Sequence, residues 1–176
     1  MKKKREYIRL LCIIALGIVF GVLSKAADVA VQGNILGNIF FYFGLISSGF
    51  FIWVVICTII SILSKNKIWA MVNVFFFLAA MISAYYLYSY FVVNYLVLSV
   101  VKFWIIMLVP STILSFVVWN IKTNKVLKYV VIALGAVIMV FDMFVFQGAV
   151  IGAMVIDIIL YAIFLSFILS KRFNKA

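Results

Sequence analysis

Apolar residues run along this chain in stretches of roughly twenty, each closed by charged, amide or turn-forming residues. At about 1.5 Å rise per residue, a helix of that length matches a hydrocarbon core about 30 Å thick. The pattern predicts spans over about 8–27, 40–63, 68–90, 103–119, 129–146 and 149–170. The second has a soft beginning, anywhere between Ile35 and Leu45. None of the stretches shows the two-residue alternation of a barrel strand, and lipid admits only helices or closed barrels. The expectation is an all-α integral membrane protein, with residues 1–176 forming one transmembrane domain of six helices. The last two spans are joined by a tight turn at Gln147, Gly148 and Ala149. Two apolar segments are surplus to this scheme, 26–44 and 91–101. Each is read either as an interfacial or re-entrant helix or as part of a long, tilted span.

Composition strengthens the membrane reading. Of 176 residues, 69% are hydrophobic and 11% charged, against roughly half apolar in soluble domains. A soluble fold of this size could not cover so much apolar surface. The net charge of +11 does not point to nucleic acid, because the basic residues sit in short clusters between apolar runs, as orientation signals do. Lys2, Lys3, Lys4, Arg5, Arg9, Lys65, Lys67, Lys122, Lys125, Lys128, Lys171, Arg172 and Lys175 all fall on one side of a six-span chain. Only Lys25 and Lys102 fall on the other. By the positive-inside rule both termini are expected in the cytoplasm of a bacterial plasma membrane.

The acidic residues point to the opposite side. Asp28 ends the first span three residues after Lys25, and Lys102 opens the fourth. Asp142 lies about 8 Å below the outer turn at Gln147, and Asp157 about 12–15 Å deep on the next helix. A bare carboxylate at that depth costs several kcal/mol, so both should face protein, water or a cation. Asp157 is expected to face the bundle interior with Asp142 above it. Lys102 is the first choice of counter-charge and Lys25 the second. Tyr85 and Tyr86, within the run SAYYLYSYF, join the outer group as lining residues or as an interfacial belt. The candidate ligand-binding set is therefore Asp142, Asp157, Lys102, Lys25, Asp28, Tyr85 and Tyr86.

Catalysis is not indicated. With His absent there is no zinc-protease motif or Ser-His-Asp set, and no glycine-rich phosphate loop occurs. Cys12 and Cys57 lie inside apolar runs without ligand partners, so no metal site, cofactor or catalytic residue is expected. Gly17 and Gly21 bring a small-xxx-small spacing that lets helices approach closely. Pro110 interrupts the fourth span, where Ser111, Thr112 and Ser115 can bond freed carbonyls.

The short motifs LGNIF (36–40), TIISILSK (58–65), AMVNVFFF (70–77) and AMISAYY (80–86), with Trp53, resemble a family of small multi-spanning membrane proteins of Gram-positive bacteria with no established function. That resemblance implies a plasma-membrane protein and carries over no site residues. In span count, cytoplasmic termini and outward pocket, the expected architecture is also similar to the substrate-capture subunits of energy-coupling-factor transporters. The leading functional expectation is an outward-facing polar pocket that binds a small solute or serves its transport. The alternative is a non-catalytic accessory or immunity-type protein acting through helix–helix contacts with a membrane-protein partner. Lipid bilayer, a small solute and such a partner are the interactions expected; nucleic acid is not.

Overall fold

The computed structural model describes residues 2–30 and 33–170, with side chains from Glu6 onward. Lys171, Arg172 and Lys175, and the side chains of Lys2, Lys3, Lys4 and Arg5, lie outside the described residues. The described chain is helical: α1 (Lys2–Asp28), α2 (Ile35–Ser48), α3 (Phe51–Leu63), α4 (Lys67–Tyr88), α5 (Leu98–Val118), α6 (Lys125–Val145) and α7 (Ile151–Leu169). Five helical stretches are long and apolar enough to cross a membrane. A sixth arises if α2 and α3, bent by 70° across their break, are taken together. The chain is thus a multi-pass helical membrane protein. Many large apolar side chains on α5, α6 and α7 are exposed, as a lipid solvent permits.

The expected second span is therefore not one helix. It is two, meeting at Gly49 and Phe50. Of the two surplus segments, 26–44 contributes most of its second half to α2, a helix in its own right. Segment 91–101 divides instead between neighbours. A π-helical turn, Ser89–Val93, extends α4, and α5 begins at Leu98. Between them Asn94 takes the left-handed conformation (φ 54°) and turns the chain. Long spans, not a separate helix, account for that region.

Helix α1 packs most extensively against α4, and its small residues explain why. A Cβ at Gly17 would collide with the Phe77 carbonyl and lie 3.2 Å from Ala80 Cβ; one at Gly21 would collide with the Met81 carbonyl and lie 3.0 Å from Ala84 Cβ. Gly-xxx-Gly on one helix thus faces Ala-xxx-Ala on the other, and the backbones touch. At one end of the bundle Tyr7 packs edge-on against Trp69, and Lys122 Nζ donates to the Ser64 carbonyl at 3.0 Å. The start of α1, the α3–α4 turn and the α5–α6 turn, which carry basic residues, are gathered there. Asn66 and Asn124 cap α4 and α6 at the same end, accepting from Trp69 N and Leu127 N. Pro110 is carried inside α5, and the Ser111 and Thr112 hydroxyls bond the Met107 and Leu108 carbonyls at 2.7 and 2.8 Å.

Candidate functional site

The site is organised by the α2–α3 break. Breaking a helix in lipid frees backbone groups that water cannot reach, and each must find a partner. On the α2 side, the Ser47 and Ser48 hydroxyls bond the Gly44 and Leu45 carbonyls at 3.2 and 2.9 Å. The Trp53 indole reaches back across the break to the Ser47 carbonyl at 2.8 Å. On the α3 side, Phe50 N donates to Asp142 Oδ1 at 2.6 Å, and Phe51 N also faces that carboxylate. Asp142, from α6, is thus the N-terminal cap of α3, a carboxylate placed at the positive end of a helix dipole. Gly49 makes room for it: a Cβ at that position would overlap the carboxylate itself.

Asp142 and Asp157 are both fully buried. Asp157 faces the bundle interior as its depth required. Its partner is not the expected one. Gln147, folded inward from the α6–α7 turn, donates from Nε2 to Asp157 Oδ2 at 2.7 Å, and its amide also faces Asp142. The turn that delivers it holds Gly148 and Ala149 in succession at φ 59°, left-handed geometry that reverses the chain within a few residues. Asp142 Oδ2, Gln147 Oε1 and Asp157 Oδ1 are left buried without a hydrogen-bond partner.

Neither lysine expected as counter-charge reaches the pair. Lys102 is exposed on α5. The face of α5 that packs inward is set by Trp104 and Leu108, and two residues along a helix is a rotation of about 200°. Lys102 therefore points away. Lys25 lies 5.0 Å above the Tyr85 ring, a cation–π contact. The Tyr85 hydroxyl donates to the Asp28 carboxylate, and its ring packs edge-on against Tyr86, centroids 5.0 Å apart. The seven residues read from the sequence thus separate into an α1–α4 group (Lys25, Asp28, Tyr85, Tyr86), a buried carboxylate pair (Asp142, Asp157), and Lys102, which joins neither.

Lys25, Tyr85 and Tyr86 of the α1–α4 group border a cavity of about 440 Å³ between the ends of α1, α2, α4 and α5 that lie away from the basic turns. Its wall is aromatic, including Trp53, Tyr86, Tyr95 and Trp104, with hydroxyls from Ser24, Ser47 and Ser48 and one charged group, Lys25. Tyr95 is brought in by a local clamp: its N donates to the Ser89 carbonyl at 3.2 Å, and the Ser89 hydroxyl donates to the Tyr95 carbonyl. The floor toward α6 is a ring cluster. Phe50 stacks on Trp104 at 5.1 Å and meets Phe146 edge-on at 5.0 Å. Because Phe50 carries the amide bonded to Asp142, this cluster stands between the cavity and the carboxylate pair.

Sequence reasoning missed Gln147 as a site residue, treating it only as a turn residue, and missed the Gly49–Phe50 break. The available signal was SSG inside an apolar run. No group of three or more His, Cys, Asp or Glu gathers among the described residues. No protein-family model, curated protein or solved structure matches the chain.

Proposed function

We propose that this chain is a plasma-membrane protein of six spans, with both termini cytoplasmic, whose outward-opening cavity binds a small solute as a component of transport. The observation that carries the reading is the cavity of about 440 Å³, a volume in the usual range for small-molecule sites. Its wall has the composition of such sites too, mostly aromatic and aliphatic with a few serines and one amine. The solute that fits has a flat or aliphatic apolar body and an anionic or acceptor group that meets Lys25. The similarity to transporter capture subunits supports this as analogy only.

The accessory-protein reading is not favoured by the two glycines it named. It needed a free lateral face of small residues, and Gly17 and Gly21 are consumed against α4. The test is a thermal-shift screen of small solutes on the detergent-purified protein, repeated on Tyr86→Ala and Lys25→Met. A solute that stabilises the natural protein but neither variant supports the reading. Absence of any shift, together with co-purification of a fixed stoichiometric membrane partner, refutes it. Cysteines placed singly at Asn66 and Thr123 should be labelled only from the cytoplasmic side.

A further inference from the structure

The polar groups at the α2–α3 break do not balance, and the imbalance is specific. Two carboxylates have no exposure; Asp142 meets the N-terminus of α3, equivalent to roughly half an elementary charge, and Asp157 meets only the neutral amide of Gln147. Three acceptor oxygens remain unpartnered at one place, Asp142 Oδ2, Gln147 Oε1 and Asp157 Oδ1, and Gln147 is itself 2% exposed. The Gln147 amide cannot be turned to relieve this. Its Nε2 is held by Asp157 Oδ2, and reversing it would set two oxygens against each other. Buried acceptor oxygens that outnumber the donors offered to them are the electrostatic complement of a cation.

We propose that Asp142, Gln147 and Asp157 form a site for a mobile monovalent positive charge, either a desolvated alkali-metal ion or a proton shared by the two carboxylates. An all-oxygen donor set selects hard cations over transition metals. A dry site with only two carboxylates disfavours magnesium, which gives up its water reluctantly. Two carboxylates bridged by one amide also favour holding a proton between them, since like charges at close range resist ionising together. Among the described residues, the surrounding titratable groups offer no substitute charge. Tyr42 of α2 packs across Gly152, and Tyr161 of α7 donates to the Ile132 carbonyl at 3.0 Å. Cys57 of α3 lies nearly two turns below the break, and Lys102 of α5 is exposed. The proposal is independent of which solute enters the aromatic cavity.

The test is thermal unfolding of the full chain in detergent, with sodium, lithium or potassium chloride replacing choline chloride at constant ionic strength, across the acid-to-neutral pH range. If the site holds an alkali ion, one of the three salts raises Tm saturably by several degrees. Asp142→Asn and Asp157→Asn then lose that rise while remaining folded. If it holds a proton, Tm is indifferent to the salt. It falls as pH rises and the pair is forced to ionise, and Asp157→Asn flattens the fall. Should Asp157→Asn not fold, Gln147→Met removes both the orphan Oε1 and the Nε2 donor while leaving both carboxylates; the alkali-ion rise is then lost, or, if the pair holds a proton, the fall with pH steepens. The proposal is overturned if the natural protein responds to neither salt nor pH, or if these variants respond as it does.

Discussion

Replacing Asp142 by alanine and by asparagine separates its capping role from its charge. Alanine leaves Phe50 N, now bonded at 2.6 Å, without an acceptor in a site that excludes water. A buried donor stripped of its partner costs about 1–3 kcal/mol, and the lost interaction of a carboxylate with a helix N-terminus adds up to about 2 kcal/mol in a buried geometry. Relief of an uncompensated carboxylate offsets part of this, so about 2–4 kcal/mol is expected. For a chain of this size each kcal/mol moves Tm by roughly 2–4 °C, which puts Asp142→Ala roughly 5–15 °C below the natural protein. Asparagine keeps an oxygen acceptor and is among the best N-caps. It loses only the charge, so Asp142→Asn should fall within about 3 °C of the natural protein or above it. The assay is thermal unfolding in detergent with choline as the only cation, which keeps any alkali-ion effect out of the comparison. Alanine matching the natural protein, or asparagine as damaging as alanine, would refute the capping argument.

Other outcomes follow from the same geometry. Gly49→Ala places a Cβ on the Asp142 carboxylate. It should lower stability by about 1–3 kcal/mol through overpacking, and the loss should shrink in an Asp142→Ala background, which a double-mutant cycle will read. At the α1–α4 contact, Gly21→Ala drives a methyl into the Met81 carbonyl. A loss of about 1–3 kcal/mol is expected, visible as a lower Tm; an unchanged Tm would mean that the two backbones are not in contact. Tyr85→Phe keeps the ring beneath Lys25 but removes the hydroxyl bonded to Asp28. It should cost about 1.5–3 kcal/mol, read as a lower Tm, so a larger loss would assign that network a role beyond one hydrogen bond.

The spans were legible because lipid imposes a length and a polarity on every crossing helix, and the hydropathy of each stretch records both. Burial was legible for the same reason: counting from the α6–α7 turn placed Asp142 and Asp157 within apolar stretches where burial is required, and both are buried. What stayed hidden is what depends on partners distant in sequence. The SSGF break keeps its apolar flanks, its serines bond their own helix, and the group that stabilises it lies 92 residues further on. Counter-charge was misjudged because side of the membrane was used where helix register decides. Lys102 was assigned the side of Asp142, but it is exposed and does not lie on the face of α5 that Trp104 turns inward. Gln147 was hidden by its setting, since only the left-handed pair Gly148 and Ala149 explains how a turn residue comes to point into the bundle. The tyrosine row was read as helical throughout, yet the π-helical turn from Ser89 changes the register there. Tyr90 is 59% exposed while Tyr86 borders the cavity.

The cap at the α2–α3 break also fixes an order of events during synthesis. The amide and the carboxylate that close it are 92 residues apart, and ribosomes add roughly 5–20 residues per second. Asp142 is therefore added roughly 5–20 s after Phe50. During that interval an unbroken helix is the conformation that leaves fewest backbone groups unpaired in lipid. The bend is then a late event, imposed when α6 arrives and offers a better partner than continuity. Crosslinking between cysteines at Leu45 and Trp53, on nascent chains stalled before and after α6 has inserted, should report a change in their separation. Identical crosslinking at both lengths would mean that the bend is built into residues 47–50 and precedes its cap.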